Sequence, residues 1–416
     1  MLHPLYLCLL VPAACAGFFA LGRFRRLRTA WLLLLSAAFL LAVQPDTWWL
    51  TLLLAGLAWL APQMGRRGAT AYAVLAVGTL VAVKLTGGAW PVGLSFAALQ
   101  GISYAVDAVR DASQRGTLCD TLLYALFFPK LSAGPLCRFG DFRRQSRAAC
   151  VTWDDLEAGL LRLAAGLGKK LLIADSLYPA AMAAFSGPAH PLALLLSLVC
   201  CPLYVYFDFS GCTDMALGVG LMLGMRLPEN FDRPLRAASV RDFWRRWHLS
   251  LSGFLRDYVY IPLGGSRRGQ ARTLLNLTAV FLLMGVWHGF TWGYLLFGAY
   301  HALLMVLERG GVLRPDRWVR PAARLYTLLA VSVGFVIFMS TGIPVLSLSY
   351  GALQAALLPL SPGLLLALGA AMVVLLREGA KPLPAWLRRL GALLLLAGAV
   401  MHLMAGGYVP MLYAQF

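Results

Sequence analysis

Residues 273–307 read TLLNLTAVFLLMGVWHGFTWGYLLFGAYHALLMVL, thirty-five residues without Asp, Glu, Lys or Arg, bounded by Arg272 on one side and Glu308 and Arg309 on the other. A helix crossing a hydrocarbon core about 30 Å thick needs about 20 residues at about 1.5 Å each. The stretch is therefore too long for one upright span and short for two generous ones. With both charged ends on one face of a bilayer, residues 273–287 rise about 22 Å, and His288 falls inside the membrane. An ionisable side chain at that depth is costly unless it lines a polar cavity, which marks His288 as a functional candidate. The plainer alternative is a neutral histidine bonded to a nearby backbone carbonyl. His301 and His402, each alone in an apolar run, fit that alternative better.

The segment just before it, residues 229–269, reads ENFDRPLRAASVRDFWRRWHLSLSGFLRDYVYIPLGGSRRG. Arg and Asp are crowded there between Trp, Phe and Tyr, which soluble loops rarely show. Ser239 is placed to cap a helix, with Asp242 in its favourable first turn, so residues 239–260 read as an amphipathic or partly embedded helix. His248 lies within it.

The chain has 416 residues, of which 60% are hydrophobic and 13% charged. An ordinary soluble globule carries about 25% charge, so this is a polytopic helical membrane protein. The formal charge of +18 sits in short clusters between apolar runs, the pattern of cytoplasmic loops and not of a nucleic-acid surface. Eight cysteines show no CxxC pair and no metal-type spacing with His, so neither a disulfide framework nor a metal site is expected.

Placing the basic clusters inside and the short Gly/Pro or polar breaks outside gives spans near 2–21, 29–45, 47–64, 69–86 and 92–109. A re-entrant piece follows at 117–136. A long helix over 153–185 is interrupted by Lys169-Lys170 and reads as partly interfacial. Asp208 and Asp214, around Ser210-Gly211, suggest a broken helix lining a cavity; pairing with an arginine or capping a helix end are the plainer roles. Residues 325–376 hold two spans with a turn near 340–344, and a last span starts at about Leu390. The count is about eleven, with both termini outside. No transporter-type internal repeat stands out.

Several motifs recur together and in a familiar order: PVGLSFAALQGISYAVDAVR (91–110), FFPKLSAGPLCRF (127–139), YFDFSGCTDMALGVGLMLGMRLPENF (206–231), NFDRP (230–234), DFWRRWHLSLSGFLRDYVYIPLGG (242–265) and GVWHGFTWGYLLFGAYHALL (285–304). They resemble the membrane-bound O-acyltransferases, most of all the bacterial alginate O-acetylation branch, with the teichoic acid D-alanyl transfer protein as a relative. The resemblance is dense over residues 90–310 and reappears in the tail. It implies an all-α fold of one integral-membrane domain, 1–416, with re-entrant and amphipathic helices around a central channel or funnel, a catalytic core at 90–310 and an aromatic tail motif at 408–416.

The resemblance also gives His288, in its Trp-His-Gly motif, the catalytic role, and matches His248 to the second family histidine. Imidazole titrates near neutrality, so His288 can take the acceptor hydroxyl's proton as it attacks a thioester carbonyl, while His248 or a nearby donor steadies the oxyanion. A covalent acyl-histidine is the other route. Arg245, Arg246 and Arg256 are candidates for donor phosphates, or simple positive-inside anchors. Trp247, Asp257, Trp287, Asp208 and Asp214 complete the candidate donor or channel lining. The tail YVPMLYAQF is similar to a family motif in which a tyrosine is a proposed acyl relay, which makes Tyr413 the candidate. It departs from the usual pattern at Met411-Leu412 and Ala414, and an interfacial aromatic belt is the plainer reading.

The function so implied is transfer of a short acyl group, most simply acetyl, from a cytoplasmic thioester to an extracytoplasmic cell-surface polysaccharide at the inner or plasma membrane. No bound cofactor is expected; the donor is acetyl-CoA or an acyl carrier protein thioester. With no Gly-x-Ser-x-Gly elbow in the chain, an extracytoplasmic esterase-like transferase is the expected partner. D-alanyl transfer to teichoic acid is the near alternative, although Ile261-Pro262-Leu263-Gly264-Gly265 looks more like the acetylation branch. A transporter or flippase using Asp208, Asp214 and His288 as a proton path is the distant one.

Overall fold

Leu-, Ala- and Val-rich runs in a bilayer leave the backbone no partner outside its own segment, and helix is the outcome. The computed structural model describes residues 6–22, 24–86, 91, 93–131, 133–187, 190–340, 349–357 and 359–411, and all the regular structure among them is helical. In chain order the first helices are α1 (Val11–Ala20), α2 (Arg25–Val43), α3 (Trp48–Leu60), α4 (Gly65–Thr86), α5 (Leu94–Arg110), α6 (Leu118–Leu126) and α7 (Phe128–Leu131). The middle of the chain forms α8 (Phe139–Ala148), α9 (Trp153–Leu167), α10 (Asp175–Ala181), α11 (Pro191–Met222), α12 (Val240–Trp244) and α13 (Leu249–Leu255). Then come α14 (Gln270–His288), α15 (Trp292–Arg309), α16 (Arg320–Met339), α17 (Tyr350–Leu357), α18 (Pro362–Arg377) and α19 (Ala385–Met404).

Among the described residues six helical stretches are long and apolar enough to cross a membrane, or seven if the bent pair α17 and α18 is one span. Part of the distance from the expected eleven is bookkeeping of length: α3 and α4 run on through a tight turn at Ala61–Met64 and qualify as one stretch of 39 residues, although they match two expected spans. The expected re-entrant piece is two short helices, α6 and α7. The turn expected near 340–344 lies outside the described residues beyond Ser340, and so does Tyr413.

The described residues fall into two compact units, one drawn from Met1–Gly166, Cys212–Glu229 and Met411–Phe416, the other from Leu167–Gly211 and Asn230–Pro410. In the first, α5 is buried along nearly its whole length. Lys130, fully enclosed, donates to Gln100 and to the Tyr124 carbonyl and stands over the Tyr124 and Phe142 rings at 4.5 and 5.1 Å. Arg162 holds Asp214 at 2.9 Å and Glu229 at 2.6 Å.

The second unit is built on the α14–α15 hairpin, whose turn covers residues 289–291. Its helices approach closely because Gly285 and Gly298 face each other: a methyl on Gly298 would stand 2.6 Å from the Phe281 carbonyl oxygen. Lys170, Asp175 and Asp208 form a fully buried cluster with Nζ–carboxylate distances of 2.5 and 2.7 Å. Asp175 also accepts from the Val409 N–H at 3.2 Å, and Lys170 lies 5.7 Å from the Tyr408 ring.

Three expectations change. α11 is one unbroken helix through Ser210-Gly211, because Asp208 and Asp214 each have a cation and need no break in the backbone. Lys170 is enclosed, not interfacial, since its charge meets two carboxylates. Residues 239–260 are not one helix: α12 and α13 are separated at Arg245–His248, where His248 takes the left-handed conformation (φ 45°), and a wide turn at Arg256–Tyr260 follows. The Ser239 cap forms as expected, its side chain accepting from the Asp242 N–H at 3.0 Å.

Candidate functional site

His288 is the last residue of α14, and the extended Gly289 after it ends the helix. The side chain is 6% exposed and its surroundings are aromatic, with the Trp287, Phe338, Tyr294 and Phe297 rings at 4.7, 4.9, 5.9 and 6.3 Å. It thus sits at a hairpin tip and not in mid-helix. His301, on α15, is bonded through Nδ1 to the Phe297 carbonyl, and His402 through Nε2 to the Gly407 carbonyl, as their plain reading expects.

His248 lies between α12 and α13, buried, with Nδ1 3.1 Å from Asn230 Oδ1 and the Phe209 ring edge-on at 4.7 Å. Burial pushes its imidazole down to about 3, so the ring is neutral at physiological pH. Trp247 is a core anchor, stacked on Phe243 at 5.4 Å and against Phe231 and Phe335 at 5.0 and 5.1 Å. Those rings link the surroundings of the two histidines, since Phe335 also meets Phe297 and Phe338 at 6.1 and 6.5 Å.

A cavity of about 320 Å³ opens in the same unit. Arg241, Arg245, Arg256 and Arg309 line it together with Trp244, and Leu277, Val280, Phe281 and Met284 supply its apolar wall. Those four lie on one face of α14 at helical spacing, and His288 is one turn beyond Met284 on that face, about 6 Å further along the axis. Arginines at one end and an apolar wall directed at an imidazole would suit a ligand with an anionic head and an uncharged arm.

Of the arginines singled out in the sequence, Arg245 and Arg256 line this cavity and Arg246 does not: it is held by Asp242 at 2.9 Å and Asp232 at 3.6 Å. Asp257 pairs with Arg256 at 2.7 Å. Asp208 and Asp214 are occupied by Lys170 and Arg162, and Trp287 adjoins His288. Sequence reasoning missed Asn230, Trp244 and Arg309. It also missed Glu308, a buried carboxylate that accepts from the Val240 and Arg241 N–H groups at 2.8 and 3.0 Å and from Tyr326 at 3.2 Å, so fixing the start of α12. Its neighbour Arg309 had disguised it as a mere loop marker. Among the described residues no group of His, Cys, Asp and Glu is arranged to hold a metal.

A profile of the membrane-bound O-acyltransferase family matches residues 47–352. The probable alginate O-acetylase AlgI of Azotobacter vinelandii is 41% identical over 63% of this chain and 53% of its own length. The peptidoglycan O-acetyltransferase of Helicobacter pylori is 38% identical over 46% of this chain and 37% of its own, and the teichoic acid D-alanyltransferase of Bacillus subtilis 31% over 59% and 68%. The chain spans about half the length of the alginate relatives it matches. With close to three quarters of its residues under the family profile, the chain belongs to the membrane-bound O-acyltransferase family.

Proposed function

We propose that this chain transfers a short acyl group, acetyl in the first instance, from a cytoplasmic thioester to an acceptor hydroxyl on the other side of the membrane, and so toward a cell-surface polysaccharide. The observation that carries it is the arginine-lined cavity whose apolar wall runs along α14 as far as Met284, one helical turn short of His288. Coenzyme A and the phosphopantetheine of an acyl carrier protein share the chemistry it fits: phosphates for the guanidinium forks and a long uncharged arm ending in the thioester. His288 takes the hydroxyl proton as the oxygen bonds to the thioester carbonyl carbon; the C–S bond breaks and the proton passes on to the departing thiolate. A tyrosine hydroxyl, Tyr413, is the proposed first acceptor, and an extracytoplasmic esterase-like enzyme the proposed partner that completes delivery. Acetyl rather than D-alanyl transfer follows the identity to the alginate relatives, 41% against 31% for the Bacillus protein.

The donor assignment predicts a split effect. Changing Arg245 and Arg256 together to alanine removes two charge-assisted contacts of about 1.5–3 kcal/mol each and should raise the donor KM at least about tenfold with kcat little changed. Steady-state kinetics with acetyl-CoA and with an acetylated carrier protein measure it. An unchanged KM for both donors contradicts the assignment.

A further inference from the structure

The segment after α19 turns back on the helix it leaves. α19 ends at Met404, and Gly406 takes the left-handed conformation (φ 73°) that a side chain would resist. The Gly406 N–H donates to the Leu403 carbonyl at 3.1 Å and the Gly407 N–H to the His402 carbonyl at 3.1 Å, which closes the reversal. His402 Nε2 stands 2.8 Å from the Gly407 carbonyl; a carbonyl oxygen only accepts, so Nε2 carries the proton. A Cβ on Gly407 would lie 2.6 Å from the same ring, so the close approach needs a glycine.

α19 itself lies against the wide helical turn over Gly168–Ala174, with Leu395 against Gly168 and Gly398 against Leu172. The reversal therefore delivers residues 408 and 409 to the buried Lys170 cluster. The Tyr408 ring comes to 5.7 Å from Lys170 Nζ, and the Val409 N–H donates to Asp175 Oδ2 at 3.2 Å across 234 residues of sequence. The two oxygens of Asp175 face different partners. Oδ1 meets Lys170 Nζ at 2.5 Å, while Oδ2 takes the Val409 N–H and stands 3.9 Å from His402 Nε2. Lys170 also holds Asp208 at 2.7 Å, which already balances its charge. A second enclosed carboxylate is more than that balance requires and is costly to bury; Asp175 is the one that reaches the tail.

We propose that Asp175 is a positioning residue for the acyl relay: it anchors the chain at Val409 and so fixes the point from which the tail presents Tyr413. Only Pro410, Met411 and Leu412 separate the anchor from that tyrosine. The fewer residues are left free, the smaller the entropy lost when a hydroxyl reaches the acyl group. The inference rests on the acyltransferase reading, with Tyr413 as first acceptor, for its meaning in catalysis; the anchor itself does not.

The test uses the full chain in membranes, supplied in turn with acetyl-CoA and with an acetylated carrier protein. Mass spectrometry follows acetyl appearing on the peptide that carries Tyr413. Val409→Pro deletes the N–H alone; residue 409 precedes Pro410 and already favours extended backbone, so a second proline ring fits there. Losing a hydrogen bond to a charged oxygen should slow acetylation of Tyr413 at least about tenfold at saturating donor, with the donor KM within about twofold of wild type. Val409→Ala, which keeps the N–H, should match wild type. Asp175→Leu should show the same loss, and Val409→Pro should add nothing to it, because both remove one contact. Full-rate acetylation in Val409→Pro, a loss confined to the donor KM, or additive losses in the double variant overturns the proposal. So does a lower thermal midpoint with a wild-type rate per folded molecule, which is what a purely structural contact gives. Hydrogen exchange of the peptide over residues 405–411 reads the anchor without any turnover: wild type holds a slow amide that Asp175→Leu releases. Equal exchange in the two overturns the anchor even if transfer is confirmed, whereas an Asp175-dependent slow amide in a protein that never acetylates Tyr413 upholds the anchor and overturns the relay reading.

Discussion

His288→Ala is expected to lower acyl transfer by about 10²–10⁴, the usual contribution of a positioned general base, with normal protein level and a donor KM within a small factor of wild type. The reason for the split is positional. The cavity is lined by residues of α12 to α15, on α14 only as far as Met284, and His288 lies one turn past it, so truncation removes the proton acceptor and leaves the arginines and apolar wall in place. Three of its aromatic neighbours also make the site tolerant of a smaller side chain, because Phe338 packs on Tyr294 and Phe297 at 4.9 and 5.0 Å as well as on the imidazole. Acetate released from the surface polymer by mild base treatment of cells gives the readout. Wild-type acetylation by a normally expressed His288→Ala protein rules out the catalytic role.

Lys170→Met should act on stability and not on chemistry. It leaves Asp175 and Asp208 enclosed without their shared cation, and breaking a buried ion pair by removing one partner costs about 3–5 kcal/mol, a large part of the stability of a typical domain. Neither carboxylate can turn to solvent, since both are fully buried and Asp175 is held by the Val409 N–H. The expected result is little folded protein after detergent extraction, by fluorescence-detected size exclusion with a thermal ramp. Adding Asp175→Asn and Asp208→Asn to the same variant removes the charge altogether and should restore most of it. A Lys170→Met protein as heat-stable as wild type contradicts the account of the cluster.

How much of this the sequence disclosed depends on whether a residue's role is local. The charge-free stretch and the cap at Ser239 follow from apolar length and short-range spacing, and the cap forms where the pattern places it; that the stretch folds as the α14–α15 hairpin with His288 at its tip is not legible in that pattern. The Lys170 cluster does not announce itself, because Asp208 is 38 residues away and only tertiary packing brings it beside the local pair with Asp175; a lysine between apolar runs looks interfacial until its carboxylates are known. The same holds for Asp208 and Asp214, whose depth suggested a broken helix although each had a distant cation. The turn at His248 was hidden for another reason. Aromatic and basic residues at near-helical spacing masked a left-handed residue, which glycine usually marks. Asn230 stood within a recognised motif, but its bond to His248 crosses 18 residues and no spacing rule reveals it.

The central claim is vectorial transfer through a site at His288. Its most direct measurement encloses an acetyl thioester inside proteoliposomes of the purified chain and supplies the extracytoplasmic esterase-like partner and a labelled hydroxyl acceptor outside. The account predicts acetylated acceptor outside, free thiol inside in matching amount, and loss of both in His288→Ala. Thiol release without outside product, or equal product from the His288→Ala protein, contradicts it.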